Sequence, residues 1–144
     1  MILVDANILI YAKSVRSIHH ERASKWLDAQ LNGDAPVGLP WPVLLAFIRI
    51  TTNNRAFPGA KSAAEQWQQA LEWLACPPVW IPQPTERHAE VLGELLSLPG
   101  MGGNLVTDAH LAALAIEHGA TLATCDRDFA RFPGLKFFNP LDKL

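Results

Sequence analysis

Residues 104–128 read NLVTDAHLAALAIEHGATLATCDRD, an apolar stretch that carries three aspartates. The part from Asn104 to His118 begins with cap-type residues and is followed directly by Gly119, which predicts a helix. Thr121 to Cys125 is a short segment between that glycine and Asp126, and its pattern predicts a strand. The stretch therefore predicts a helix that leads straight into a strand, with aspartates at the start of the helix and just after the strand.

The same alternation of short strands and longer helices runs through the rest of the chain. Ile2 to Val4 is wholly apolar, as expected of a strand that is covered on both faces. Further strands are predicted at residues 36–39, 79–81 and 136–138, and a turn or short helix at 126–132. Helices are predicted at residues 7–12, 20–31, 41–50, 61–74 and 85–96. Such a pattern predicts an α/β fold of three layers, α/β/α, around a mainly parallel sheet of four to five strands.

The predicted helix at residues 61–74 has a clear apolar periodicity. We expect its buried face to consist of the apolar residues at helical spacing, namely Ala64, Trp67, Leu71 and Leu74.

Length and composition indicate one globular domain over residues 1–144, because 49% of the residues are hydrophobic and only 18% are charged. The net charge of −2 weakly disfavours binding of nucleic acid through bulk electrostatics, although a site that holds divalent cations supplies its own positive charge. No apolar run reaches the roughly 20 residues that span a bilayer, and the N-terminus lacks the basic region and cleavage site of a signal peptide. These features predict a cytoplasmic protein.

Three aspartates are expected to meet at one edge of the sheet. Asp5 follows the first predicted strand, Asp126 follows the strand at residues 121–125, and Asp108 opens the helix that leads back into that strand. Because parallel strands end at the same edge, the three carboxylates should converge there. Crowded carboxylates repel one another, so they raise a pKa or bind a cation, and a site made of oxygen ligands suits Mg²⁺ or Mn²⁺.

Each aspartate also has a purely structural interpretation. Asp108 alone is typical of a helix cap, and Asp126 and Asp128 alone are typical of turns. Asp5 is different, because a carboxylate at the end of a buried strand needs a partner. Taken together, the aspartates favour a functional site.

Two segments of the chain resemble a known family. The opening residues 2–9, ILVDANIL, and the stretch from residue 104 to residue 135 are similar to the PIN-domain ribonucleases, and within them to the VapC toxins of bacterial toxin–antitoxin pairs. The DxN opening is a weak signal by itself. Together with the T-D-A-x-L-A-A and T-x-D-x-D-F segments at this spacing it is specific, and the resemblance covers essentially the whole chain.

The resemblance implies the chemistry of the site. Asp5, Asp108 and Asp126 are implied to be catalytic and to bind Mg²⁺ or Mn²⁺, which would activate water for cleavage of a phosphodiester bond. Asp128 is implied either to complete the metal environment or to assist the metal-binding aspartates without contacting the ion directly.

The resemblance also implies a function and partners. It implies a PIN-like fold, a Mg²⁺-dependent endoribonuclease that cleaves a structured RNA such as tRNA, a homodimer, and a cognate VapB-type antitoxin, with no membrane association. Asn7 and Thr124, beside the aspartates, are expected either to orient a carboxylate or the scissile phosphate, or to serve only backbone hydrogen bonds and a helix cap. Basic side chains that could contact RNA phosphates are Lys13, Arg16, Arg49, Arg55 and Arg127.

One departure from the family pattern affects the site. The family commonly has a glutamate in the helix after the second strand, but that segment here reads WPVLLAFIR over residues 41–49. Ala46 and Phe47 stand where the acid is expected. Three possibilities remain open. The site holds one ion through three or four aspartates, it binds the ion more weakly, or it has lost activity. In the last case the chain would be an RNA-binding or assembly module.

Other function classes find less support. A phosphatase of the haloacid dehalogenase type needs a second aspartate where Asn7 stands. The glycines of Gly100-Met-Gly-Gly103 follow a helix and do not link a strand to a helix, so the context of a nucleotide-binding fingerprint is missing. His110 and His118 are expected to lie at the surface of their helix, outside any acid–base site.

Overall fold

The computed structural model describes residues 1–142, so the last two residues of the domain predicted over 1–144 lie outside the described residues. The helices are α1 (Ala6–Lys13), α2 (His20–Leu31), α3 (Trp41–Thr51), α4 (Ala63–Leu74), α5 (His88–Leu96) and α6 (Leu105–His118). The strands are β1 (Ile2–Val4), β2 (Val37–Gly38), β3 (Val79–Trp80), β4 (Thr121–Ala123) and β5 (Phe137–Phe138), with a 3₁₀ helix at Arg127–Arg131.

The strands form one parallel sheet in the order β3-β2-β1-β4-β5. The central strand β1 pairs with β4 in the register Leu3 to Leu122, and Leu3 and Val4 are fully buried. This confirms the predicted three-layer α/β/α class with a sheet of four to five strands. Because β1 and β4 are parallel neighbours, the residues that follow them, Asp5 and Asp126, leave the sheet at the same edge.

Helix α6 has nearly the bounds that the sequence predicts. It ends at Gly119, which adopts a φ of 64°, a left-handed conformation that glycine takes without steric cost. Asn104 occupies the N-cap position, but its side chain accepts no capping hydrogen bond. Helix α5 begins at His88 and not at the predicted Thr85, and the Thr85 N–H and hydroxyl donate instead to the Glu117 carboxylate of α6 at 2.9 and 2.7 Å.

The predicted buried face of α4 is wrong. Trp67 and Leu71 are 40% and 39% exposed, Ala64 is exposed and Leu74 is only half-buried. The residues of α4 that the core buries are Gln66, Ala70 and Trp73.

Two specific contacts rotate α4 away from the apolar stripe. The Trp73 ring packs edge-on against Phe47 of α3 with centroids 4.8 Å apart. The buried Gln66 amide donates to the Thr51 hydroxyl at 2.9 Å, which satisfies both polar groups inside the core. Trp67 instead stacks on Trp41 of α3 at the surface, with centroids 6.2 Å apart.

No helix in the described part of the chain combines the length and the apolar character that crossing a membrane requires.

Candidate active site

Asp5 is fixed at the junction of β1 and α1 by hydrogen bonds to both of its carboxylate oxygens. Its Oδ1 accepts from the Ala6 N–H at 2.7 Å. Its Oδ2 accepts from the Thr124 hydroxyl at 2.8 Å and from the Asn7 amide at 3.3 Å. Burial raises the pKa of Asp5 above its ordinary value, because the opposing effect of these hydrogen bonds is smaller. The side chain is therefore rigidly placed and partly desolvated.

Asn7 and Thr124 connect the ends of the two central strands. The Asn7 amide also donates to the Thr124 hydroxyl at 3.2 Å, and Asn7 Oδ1 accepts from the Cys125 N–H at 3.4 Å. The Thr124 hydroxyl accepts from the Asp126 N–H at 3.0 Å. The two side chains therefore orient the Asp5 carboxylate and also bond to the backbone, while the N-cap positions at these strand ends belong to Asp5 and Asp126 and not to Asn7 or Thr124.

Asp108 lies in the first turn of α6, close enough to the other aspartates for their charges to act on it. Burial, followed by the carboxylates of Asp126, Asp5 and Asp128, raises the pKa of Asp108 to about 6. Asn104 and not Asp108 is the N-cap of α6, so the interpretation of Asp108 as a helix cap is wrong. The structure thus brings the three predicted aspartates to one edge of the sheet.

Asp126 and Asp128 differ in their exposure to solvent. Asp126 is half-buried, and its Oδ1 accepts from the Asp128 N–H at 2.9 Å, so it also forms the turn that its residue type favours. The Asp128 side chain is 61% exposed and lies 3.8 Å from the Arg131 guanidinium. Asp126 is therefore placed with Asp5 and Asp108, whereas Asp128 lies at the solvent side of the group.

A cavity of about 340 Å³, which we call the acidic cavity, opens beside Asp5 and Asp108. Ala46 of α3 lies in its wall, as does the exposed Arg49 one helical turn further on. Phe47 is fully buried in the core, so the expectation that it occupies the position of the missing glutamate is wrong. Of the two positions where the sequence lacks an expected acid, only Ala46 faces the acidic cavity.

The acidic cavity has further polar wall residues that the sequence analysis did not assign to a site. Asn104 and Thr107 line it together with Asp108. Their sequence signal was their place within one helical turn before Asp108, which is equally typical of residues that only begin a helix. Of the five basic residues proposed to contact RNA, Arg49 is the one in the wall of this cavity.

The donor set of this edge suits a hard divalent cation. The anionic groups are all carboxylates, whose oxygen atoms Mg²⁺ and Mn²⁺ prefer, and the charges of Asp126, Asp5 and Asp128 add to burial in raising the pKa of Asp108. As the side chains stand, residues 1–142 contain no group of three or more His, Cys, Asp or Glu close enough to hold one metal ion. Asp108 and Asp126 would therefore have to turn toward Asp5 to share one ion.

A second polar network lies on the other side of α6, between α5 and α6. The fully shielded Glu117 carboxylate is hydrogen-bonded to His88 Nδ1, and His88 Nε2 lies 3.1 Å from His110 Nδ1. The expectation that His110 lies at the surface is therefore wrong, because His110 is half-buried against α5. His118 lies at the end of α6 as expected, where its ring contacts the Gln83 carbonyl at 2.8 Å.

This network is expected to stabilise the fold. Burial raises the pKa of Glu117, but the hydrogen bonds from His88 and Thr85 outweigh burial and leave the pKa below its ordinary value of 4.5. We expect Glu117→Gln to lower the free energy of unfolding at pH 7 by about 2 kcal/mol, the usual contribution of hydrogen bonds to a charged group. A lowered pKa means that the contribution is complete above pH 4.5 and disappears as the pH falls through the folded-state pKa.

Urea denaturation at pH 7 and at pH 4 measures this effect, with Glu72→Gln on exposed α4 surface as the matched control. Equal stability of the two variants at pH 7 would show that the network contributes nothing.

The comparisons with known proteins agree with this architecture. Residues 2–135 match the PIN domain family. Ribonuclease VapC37 of Mycobacterium tuberculosis is 44% identical over 140 residues, which is 97% of each chain. Solved structures that share the fold include VapBC2 from Rickettsia felis bound to a DNA fragment from its promoter (TM-score 0.70, 22% identity, 96% and 98% of the two chains). They also include VapC20 of M. tuberculosis, described as a sarcin–ricin loop cleaving toxin (TM-score 0.66, 19% identity, 94% and 99%).

The chain therefore belongs to the PIN-domain family, and within it to the VapC ribonucleases. This membership leaves the haloacid dehalogenase and nucleotide-fingerprint alternatives without support.

Proposed function

We propose that this protein is a metal-dependent endoribonuclease and the toxin of a VapBC-type toxin–antitoxin pair. The observation that carries the proposal is the convergence of Asp5, Asp108 and Asp126 at the carboxyl edge of β1 and β4, where burial, together with the charges of the neighbouring carboxylates, raises the pKa of Asp108 to about 6. Carboxylates that only supported the fold would gain nothing from lying so close together, whereas a bound cation would offset their repulsion.

Asp5, Asp108 and Asp126 would hold the Mg²⁺ or Mn²⁺, with Asp128 contributing from the solvent side. A bound divalent ion supplies positive charge for the phosphodiester oxygens and acidifies water. The protein positions the metal-binding carboxylate, because Thr124 and Asn7 hold Asp5 in one orientation through hydrogen bonds to its Oδ2. The Arg49 guanidinium in the same cavity wall is suited to bind a phosphate oxygen of the substrate.

We propose a structured RNA, such as a tRNA, as the substrate. The fold similarity to a toxin described as cleaving the sarcin–ricin loop is compatible with a folded RNA target but does not select one. A catalytically impaired RNA-binding or assembly module is the second candidate, because Ala46 presents a methyl group to the acidic cavity where a fourth carboxylate was expected.

Cleavage of purified small RNA tests the proposal directly. The protein, free of any copurified partner, is incubated with Mg²⁺ or Mn²⁺, with chelator, and with chelator followed by excess metal. We expect discrete fragments that vanish with chelator and return with metal. Fragments that persist in chelator would refute metal dependence, and well-folded, metal-loaded protein that cuts none of several RNA pools would favour the impaired module.

The missing glutamate gives a gain-of-function prediction. We expect Ala46→Glu to tighten Mn²⁺ binding by about tenfold, because it adds a carboxylate to the wall that already contains Asp5 and Asp108. Isothermal titration calorimetry with Mn²⁺ measures the change. Gln68→Glu adds the same charge at an exposed position of α4 and should leave the affinity near the wild-type value. Equal affinities of the two variants would place residue 46 outside the metal site.

We also propose a VapB-type antitoxin partner and a homodimer. The proposal rests on membership of the VapC group and on the apolar surface of α3 and α4, where Leu45 is 58% exposed beside the stacked Trp41 and Trp67. Light scattering of the toxin alone and after mixing with its antitoxin gives the masses. A monomeric toxin would contradict the dimer, and no mass increase on mixing would contradict the antitoxin complex.

A further inference from the structure

A second cavity, of about 290 Å³, lies at the opposite ends of α1 and α3. We call it the basic cavity, because its wall contains Lys13, Arg16 and Lys61 but no acidic residue. Its wall also includes residues 14–15 after α1, the end of α3 at Thr51, the loop at residues 57–59, and Gln66 and Gln69 of α4. Three cations therefore surround one concave surface on a chain whose net charge is −2.

These three cations are not neutralised by neighbouring carboxylates. In the part of the chain that the structure describes, none of them forms an ion pair, and all three are exposed. The negative end of the α1 dipole stabilises the charge of Lys13, which lies in the last turn of that helix, so this lysine also has a structural explanation. The same dipole does not explain the presence of Arg16 or Lys61, which lie outside α1. A concave surface lined by one sign of charge attracts ions of the opposite sign.

The basic cavity and the acidic cavity border the same two helices. Helix α1 starts beside Asp5 in the acidic cavity, and its last residue, Lys13, lies in the basic cavity. The eight residues of α1 span about 12 Å at 1.5 Å per residue. Helix α3 likewise gives Ala46 and Arg49 to the acidic cavity and Thr51 to the basic one. A chain of phosphates that leaves the acidic cavity along α1 and α3 would therefore meet the three cations.

We propose that the basic cavity binds the phosphate backbone of the RNA substrate, one α1 length away from the site of cleavage. The proposal rests on the proposed ribonuclease function and adds a second contact to it. Such a contact explains how a chain with an overall negative charge holds a polyanion, since phosphate contacts supply most of the sequence-independent affinity for nucleic acids.

RNA binding without cleavage tests the proposal. We compare the triple variant Lys13→Gln, Arg16→Gln, Lys61→Gln with a control triple, Lys25→Gln, Arg87→Gln, Lys136→Gln, which removes the same charge from exposed positions outside the cavity. The probe is a fluorescently labelled tRNA, its anisotropy is measured in chelator, and thermal unfolding verifies that both variants are folded.

We expect the cavity triple to bind the RNA about tenfold or more weakly, whereas the control triple stays within about threefold of wild type. The slope of log affinity against log salt should become shallower by about 2, because the variant removes three phosphate contacts and each contributes about 0.7 to 0.9. Equal losses in the two triples, or an unchanged salt slope in the cavity triple, would overturn the proposal.

Cleavage kinetics separate this proposal from the ribonuclease function. In metal, the cavity triple should raise KM at an unchanged kcat, because it removes binding without touching the aspartates. Wild-type protein that cuts no RNA but binds it through the basic cavity would refute only the ribonuclease function. Wild-type protein that cuts RNA, with a cavity triple that binds RNA normally but loses the antitoxin, would show that the basic cavity contacts a protein and would overturn the proposal.

Discussion

Asp5→Asn is expected to lower the rate of RNA cleavage by about 100-fold or more. Asp5 is the aspartate that the structure fixes most tightly, through hydrogen bonds from Thr124, Asn7 and the Ala6 N–H. The amide removes one negative charge and one ligand oxygen but is nearly isosteric. Even the outer partners of metal ligands usually cost about 10- to 100-fold when they are removed, so a ligand itself should cost at least as much. Single-turnover cleavage of small RNA measures the loss.

Asp28→Asn is the matched control, because Asp28 is an exposed carboxylate on α2. It should cleave RNA at the wild-type rate. An Asp5→Asn protein that is folded and cleaves as fast as the Asp28→Asn protein would remove Asp5 from the catalytic site and with it the assignment of this edge of the sheet.

Asp108→Asn is expected to make the metal-free protein more stable while it abolishes cleavage. The pKa of Asp108 is raised to about 6 by burial and by the carboxylates of Asp126, Asp5 and Asp128, so its ionised form destabilises the folded state at neutral pH. One pKa unit corresponds to about 1.4 kcal/mol, and solvent screening at this partly exposed site reduces the effect, so we expect a gain of about 1 kcal/mol.

The sign of the pH dependence follows from the raised pKa. In chelator, wild-type stability should increase as the pH falls from 7 through about 6 toward the unfolded-state pKa near 3.8, because the folded protein takes up a proton at Asp108 first. The Asp108→Asn variant should lack this increase. Thermal unfolding in chelator between pH 5 and 8 measures both, and a variant less stable than wild type at pH 7 would show that Asp108 is structural.

The sequence predicted the layers and the edge of the sheet because those features depend on local patterns. A short apolar run such as Ile2–Val4 predicts a strand, and the glycine after α6 predicts the end of a helix, from neighbouring residues alone. Parallel topology then places Asp5 and Asp126 together. The resemblance to the PIN-domain ribonucleases supplied the roles of the aspartates, which the pattern of strands and helices does not specify.

The errors arose where contacts between helices decided the outcome. The apolar stripe of α4 pointed to Trp67, but the packing of Trp73 on Phe47 and the bond from Gln66 to Thr51 turned the helix. His110 is half-buried because Glu117 and His88, which are distant in sequence, meet it between α5 and α6. The sequence pointed to Lys13 and Arg16 as possible phosphate contacts but did not predict the basic cavity, because Lys61 joins them only when α3 and the loop after it fold back on α1.

Titration of Mn²⁺ into chelator-treated and desalted protein tests the central claim, that the aspartates at this edge form a metal centre. Calorimetry of wild type, Asp108→Asn and Asp28→Asn separates a specific site from surface charge. We predict saturable binding by wild type and by Asp28→Asn, and a loss of at least about tenfold in affinity for Asp108→Asn. Mn²⁺ binding of the same affinity in all three proteins would contradict the account.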